Sequence, residues 1–299
     1  MNVIEVLSKY DKNYPKSFLS LKKVPEIIYA EGNLELLNKV AISIVGSRRC
    51  TRYGEKMSRK FARELSKLGI VTVSGMALGV DTIVHEETIS NGGKTIAVLP
   101  SGLRNIYPKN NKELYNKIIE SGGLVISEYH PDTIADSKKF TSRNRLVSAL
   151  GECIIITEAA YRSGTSITAR YAREQGKKVF CVPSGLDNRC GIGTNKLIKN
   201  GDVLLSGVSD IFEELNSTKF KDYVEKYKTQ KINEAPYIQI PEGCEKLYKT
   251  IREQPTSIDY IFNKLDEPIS EISYKITLLE LEGLINTIEG GFYERVINI

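Results

Sequence analysis

The chain has no Trp, two His and five Cys among its 299 residues. With only His85 and His130 available, a His-rich metal centre cannot be assembled. No two Cys stand at Cys-x-x-Cys spacing, so neither a zinc ribbon nor a disulfide scaffold is expected, and a reducing compartment fits. The longest apolar runs are about a strand long, far short of a membrane span. Met1 leads into NVIEVLSKYDKNYP, which lacks the basic-then-apolar pattern of a secretory signal, so the expectation is a cytoplasmic protein. What is present is an average hydrophobic content of 41%, enough for a folded chain. The length fits one large domain and something small beside it.

The net charge of +5 conceals a split. From Glu242 onward, six Lys/Arg face eleven Asp/Glu, a net of −5, which leaves +10 on residues 1–241. A basic body with an acidic tail suggests that the body meets a polyanion and the tail does not. Charge of that size is also compatible with an ordinary solvated surface.

From Val40 a repeating pattern begins. The runs VAISIVG (40–46), IVTVSG (70–75), KTIAVLP (94–100), GLVISE (123–128), ECIIITEA (152–159) and KKVFCVP (177–183) read as buried strands. Helical stretches fall between them at Tyr53–Leu68, Val80–Ser90, Lys109–Ser121, Arg145–Leu150 and Ser166–Gln175. This alternation predicts an α/β fold: a doubly wound, mostly parallel sheet covered on both faces. Residues 1–39, punctuated by Pro15, Pro25 and Gly32, read as an N-terminal extension packed on the body, and residues 40–216 as the main domain. Residues 217–236 are Lys-rich and end at Pro236, so they read as a linker. Residues 237–299 hold three short helical patterns and two strands around Gly290-Gly291, the pattern of a small C-terminal winged-helix domain.

In such a sheet, ligands bind beyond the C-terminal ends of the strands. Three loops there are small and hydroxyl-rich: Gly46-Ser47-Arg48 after the first strand, Ser74-Gly75 after the second, and Ser163-Gly164-Thr165-Ser166 after the fifth. Each leads into a helix whose first N–H groups are free to bind an anion. Each alone is an ordinary strand–helix turn; together they suggest a phosphate-binding edge. None is a Walker A loop or a GxGxxG fingerprint, so nucleotide hydrolysis is unsupported and no cofactor is expected.

The stretch Lys138-Lys139-Phe140 followed by Arg143-Asn144-Arg145 suits a single nucleic-acid strand, with cations on phosphates and a ring under a base. Phe140 reads equally well as a core residue. Asn144 has two readings: it orients the flanking arginines or touches a base edge. Asp81 and His85, four apart, would make an acid/base pair, although a His hydrogen-bonded within helix packing is the plainer expectation. Glu158 is either a catalytic carboxylate or a pin for nearby loop backbone. Cys153 and Cys181 sit in strands and read as inert core.

Taken in order, the segments GSRRCTRYG, VSGMALGVDTIVHE, TIAVLPSGLRNIYPKNN, LVISEY, FTSRNRLVSAL, EAAYRSGTSITARYAREQGKKVFCVP and GTNKLIKNGD resemble the DNA-processing protein A (DprA/Smf) family. YPKSFLSLKKVPEIIYAEGN resembles the segment that precedes its Rossmann-like domain. The resemblance covers about residues 14–206. It implies a non-catalytic, single-stranded DNA-binding protein of natural transformation. Such a protein protects incoming strands, forms a homodimer and loads the RecA recombinase. It places the DNA pocket at Gly46, Ser47, Arg48, the Ser74-Gly75 loop, Arg143, Asn144, Arg145 and Ser163-Gly164-Thr165. Two positions depart from the family pattern: Leu78 stands where Arg is usual, and Ser142 where Lys is frequent. The N-terminal SAM-like domain of many members is expected to be absent or reduced to a stub. The C-terminal unit resembles the family's winged helix, but its third helix carries Glu271, Glu280 and Glu282 against Lys275, which a duplex would repel. The alternative is an enzyme, a nucleotide phosphoribohydrolase of the LOG type on a similar sheet, whose Pro-Gly-Gly loop is missing here.

Overall fold

A computed structural model describes residues 3–160, 163–234, 240–252 and 254–296. The chain forms two compact units, residues 1–229 and 230–299.

In chain order the first unit runs β1 (Glu5–Ser8), β2 (Ile27–Gly32), β3 (Ala41–Val45), α1 (Arg52–Leu68), β4 (Val71–Ser74), α2 (Val80–Ser90), β5 (Thr95–Val98), α3 (Lys112–Glu120), β6 (Leu124–Ser127), α4 (Ser137–Leu150), β7 (Ile154–Ile156), α5 (Gly164–Glu174), β8 (Val179–Cys181), α6 (Ile192–Lys199), β9 (Val203–Leu204), α7 (Val208–Leu215) and α8 (Lys221–Glu234). The nine strands form one sheet in the order β1-β2-β6-β5-β4-β3-β7-β8-β9. From β6 to β9 every pairing is parallel, while β1 and β2 add on antiparallel. The expected doubly wound, mostly parallel sheet is therefore present. The chain starts this parallel run at β3, builds one side to β6, then returns to place β7 on the other side of β3. The strand order reverses between β3 and β7, and that is where a crevice opens.

Burial on both faces explains the unbroken apolar strands. Alternate β3 residues go to opposite cores: Ile42 and Ile44 pack with Phe61, Leu65, Val80 and Val84, while Ala41 and Val45 pack with Leu146, Val147 and Ala169. Helix α1 starts where Thr51 accepts a hydrogen bond from the Gly54 N–H and stops at left-handed Gly69.

Three segments differ from the sequence expectation. Residues 3–39, expected as a packed extension, supply β1 and β2 and so extend the main sheet. Helix α4 begins at Ser137, eight residues earlier than the expected Arg145, because Asp136 caps it by accepting from the Lys139 N–H. Residues 217–236, expected as a linker, are helical over most of their length. Phe220, Tyr223, Val224 and Tyr227 recur at helical spacing and pack on the same core as Phe212. That aromatic stripe stands in for the missing aliphatics. Residues 235 and 236 lie outside the described set.

The second unit contains α9 (Glu245–Thr250), β10 (Thr256–Ser257), α10 (Ile258–Lys264), α11 (Ile269–Leu281), β11 (Ile285–Ile288) and β12 (Phe292–Arg295). Its strands form a separate antiparallel sheet, β10-β12-β11, with Gly290 and Gly291 at positive φ in the β11–β12 turn. Its core gathers Leu247, Ile251, Ile261, Ile272, Leu279 and Ile285. Among the described residues, no helix is long and apolar enough to cross a membrane.

His85, fully buried on α2, links its Nδ1 to the Thr95 hydroxyl at 2.7 Å, while its Nε2 has no partner among the described residues. Burial, then the Arg143 charge, push its pKa from 6.5 down to about 3. The unfolded chain thus binds a proton below pH 6.5 that the native chain refuses. Stability should fall as pH drops from 6.5 towards 3, by up to about 1.4 kcal/mol per unit. Urea unfolding at pH 6.5 and 5 should show that loss in the parent chain and little of it in His85→Leu.

Candidate nucleic-acid interface

The crevice at the β3/β7 reversal is a cleft of about 600 Å³. It brings together Gly46, Ser47 and Arg48 after β3, Gly75 after β4, Arg143 and Asn144 of α4, and Ser163, Gly164 and Thr165 at the start of α5. Residues more than a hundred positions apart meet there because each follows a neighbouring strand or packs over its end.

The loops are held tightly. The Val80 N–H donates to the Ser47 carbonyl at 3.1 Å, which docks the first loop onto α2. Gly79 allows this approach: its φ is +79°, and a Cβ there would lie 2.4 Å from that same carbonyl oxygen. The Ser47 hydroxyl accepts from the Arg49 N–H, and the Thr165 hydroxyl reaches the Gly46 carbonyl at 3.3 Å. Glu158, 1% exposed, accepts from the Thr51 N–H and hydroxyl at 2.8 and 2.6 Å. It is a pin for the start of α1, and its hydrogen bonding leaves it unsuited to act as a hydrolase's carboxylate. Asp81 and His85 likewise form no acid/base pair: His85 bonds Thr95, while Asp81 faces Ala77 and the Gly75–Arg143 corner.

Arg143 lies beneath the cleft and is 3% exposed. Its guanidinium donates to the Gly75 and Val98 carbonyls and, through Nε, to Asn144 Oδ1 at 3.2 Å. A Cβ at Gly75 would sit 2.6 Å from Arg143 Nη2 and 2.7 Å from Asp81 Oδ2, so a side chain there would displace that pair. Burial lowers the Arg143 pKa to about 10, with Asp81 opposing the shift, and burial raises that of Asp81, with Arg143 opposing. The pair lies beneath the cleft and fixes the loops that line it.

Arg145 has no place in this cleft, contrary to expectation. It is 6% exposed and holds Glu128 with two hydrogen bonds of 2.6 Å. The reason is helical geometry: two residues on a helix lie about 200° apart, so α4 turns Arg143 towards the cleft and Arg145 away. Lys139 is also engaged, by Asp136 and by the Tyr129 ring. Lys138 is exposed on the first turn of α4, outside the cleft lining. Ser74 is buried below the surface and donates to the Ile44 carbonyl, and Ser166 lies in the first turn of α5, outside the cleft lining.

The accessible positive charge comes from Arg48 and Arg49, both exposed. Arg49, Asp81, Thr168 and Cys190 also line the cleft; of these, Asp81 was read from the sequence only as an acid/base partner of His85. The first turn of α5 opens into it, and the Ser163 hydroxyl has no partner among the described residues. A helix N-terminus and guanidinium groups that hold no ion pair among the described residues form a surface whose electrostatics suit an anion. Phe140 is half-buried. The Arg48 guanidinium lies 4.7 Å from its ring centroid, and Tyr107 meets it edge-on at 5.4 Å. Phe140 forms the wall of a second cleft of about 420 Å³ that shares Arg48, Asn144 and Gly164 with the first. The cationic and ring-bearing surfaces are thus contiguous. Tyr107 was legible only as an aromatic beside a proline.

Removing the Arg143 side chain leaves Asp81 buried without its counter-charge and two strand-end carbonyls without a donor. Arg143→Ala should lower the unfolding free energy by about 3–5 kcal/mol. Exposed Arg48→Ala should change it by no more than about 0.5 kcal/mol. Urea unfolding of both variants checks the contrast.

A family model described as DNA recombination-mediator protein A matches residues 5–216. The chain is 32% identical over 281 residues to protein Smf of Escherichia coli, covering 93% of this chain and 74% of that protein. It is 37% identical over 216 residues to the DNA processing protein DprA of Bacillus subtilis, covering 72% and 71%. The solved DprA of Streptococcus pneumoniae matches with a TM-score of 0.67 at 37% identity, over 71% of this chain and 74% of that one. The DprA of Helicobacter pylori, whose structure gave insight into its single-stranded DNA binding mode, matches with a TM-score of 0.64 at 35% identity, over 72% and 98%. A sheet that reverses at a glycine- and arginine-lined cleft and a family match spanning that whole sheet identify this chain as a member of the DNA recombination-mediator protein A family.

Proposed function

We propose that the first unit binds single-stranded DNA in the cleft at the β3/β7 reversal, protects it, and hands it to a RecA recombinase during DNA uptake and recombination. One observation carries this reading. An anion site built from Arg48, Arg49 and the α5 N-terminus runs directly into a wall formed by Phe140. A single strand offers phosphates and bare base faces side by side, and this surface meets both. The single-stranded DNA binding named for the Helicobacter pylori relative supports it. Phosphate contacts position a strand without reading its sequence, so selectivity for sequence is weak. The protein performs no chemical step in this reading. It works in the cytoplasm, as a homodimer.

Residues 237–299 are assigned as a winged helix whose α11 would be the groove-facing element. Lys275, the cation of α11, is held by Glu267 at 2.7 Å and Glu271 at 3.2 Å, so α11 offers a duplex no free positive charge. The acidic unit is therefore assigned to protein contacts.

Arg48→Ala should weaken binding to every single-stranded sequence and lower the slope of log K against log salt by about 0.7. Gel shifts across a salt series check this, and unchanged binding would remove the cleft from consideration. Deleting residues 237–299 should leave single-strand affinity within about twofold, since the surface charge that meets phosphate lies in the first unit. Release of adenine on incubation with AMP would instead favour the hydrolase alternative.

A further inference from the structure

The surface continues past Phe140. The second cleft is lined by Arg48, Phe140 and Tyr107 and leads into a third depression of about 480 Å³, which shares Tyr107 and Ala135 with it. Arg104, Lys109 and Lys112 line this third cleft, and Ile106 and Ile134 supply apolar surface. Lys109 and Lys112 stand three apart where a 3-10 turn passes into α3, so they share a side. Both are exposed and hold no ion pair among the described residues. Arg104 alone is engaged, 3.3 Å from Asp132, and both side chains are more than half exposed. Such a pair is weak and readily exchanged for a phosphate. Tyr107 is 48% exposed and stands edge-on to Phe140.

This segment is fixed to the sheet. Gly102 and Arg104 donate their N–H groups to the Thr133 and Pro131 carbonyls at 2.9 and 3.0 Å. Asn111 donates to the Met76 carbonyl and the Thr82 hydroxyl, each at 2.9 Å, which ties it to the loop that carries Gly75. The third cleft therefore holds a constant position relative to the first.

We infer that the third cleft is a continuation of the single-strand path. Tyr107 is a stacking platform after Phe140, and Lys109 and Lys112 receive successive phosphates. The order Arg48, Phe140, Tyr107, Lys109/Lys112 flanks two adjacent rings with cations at both ends, which suits a strand that carries phosphates on either side of its bases. A small anion would occupy one cleft, whereas a strand spans all three. This inference rests on the assignment of the Arg48 cleft to single-stranded DNA.

The test uses full-length protein and labelled oligothymidylates of about 4 to 20 nucleotides, read by fluorescence anisotropy at several salt concentrations. The variants are Lys109→Ala/Lys112→Ala and Tyr107→Leu. Both should bind the shortest strands like the parent chain and lose about tenfold on the longest. The double variant's salt slope should fall by about 1.4 on long strands alone, two phosphates at about 0.7 each. Equal losses on short and long strands would reveal a general field effect and overturn the inference, as would unchanged affinity at every length. Failure of the parent chain to bind any strand would instead remove the underlying assignment. Loss of short-strand binding in Arg48→Ala beside intact short-strand binding in the Lys pair would support both.

Discussion

Arg143 enters from α4 and donates to carbonyls at the ends of two neighbouring strands, Gly75 after β4 and Val98 in β5. Asp81 lies beside it across Gly75. A buried guanidinium is costly unless its donors and its charge are met, and here both are met by groups that shape the cleft. The loop after β4 cannot move without breaking those bonds. The Ser47 loop cannot move without leaving α2, from whose first N–H, that of Val80, it accepts a hydrogen bond. The cleft is therefore preorganised, and a flexible ligand bears most of the ordering cost on binding.

That rigid frame divides labour among cations. The buried ones, Arg143 and Arg145, hold structure. The exposed ones, Arg48 and Arg49, remain free for a ligand. Separation of this kind gives a surface whose shape is set by the core and whose affinity is tuned by salt. Phe140 serves both sides, since its ring packs under Arg48 and walls the second cleft. Within the acidic second unit, Lys275 is neutralised by its own neighbours.

The sheet was legible because β3 to β8 are mostly apolar and β-branched with no charged residue, as strands buried on both faces require. Gly46, Ser47, Arg48, Gly75, Ser163, Gly164 and Thr165 were legible because they follow strands, and Asn144 because it stands between two arginines. Other features were hidden for identifiable reasons. Asp136 disguised the start of α4, so Arg143 and Arg145 looked alike in a run that seemed to be loop. Helix α8 was missed because its apolar face is aromatic and sits among lysines. Tyr107 could not be linked to Phe140, since their approach depends on two loops 33 residues apart in sequence, a separation that no local pattern records.

Sequence by itself determined the strand and helix alternation, the doubly wound class, the basic body and the hydroxyl-rich loops. These follow from local propensity, periodicity and composition, which are properties of neighbours in the chain. Tertiary structure decided which cations are free and which are buried, that Glu158 pins α1, and that three clefts join in one row. Those outcomes depend on burial and on the facing of side chains across strand order. A side chain's charge is written in the sequence, but its partner is set by the packing that brings distant segments together.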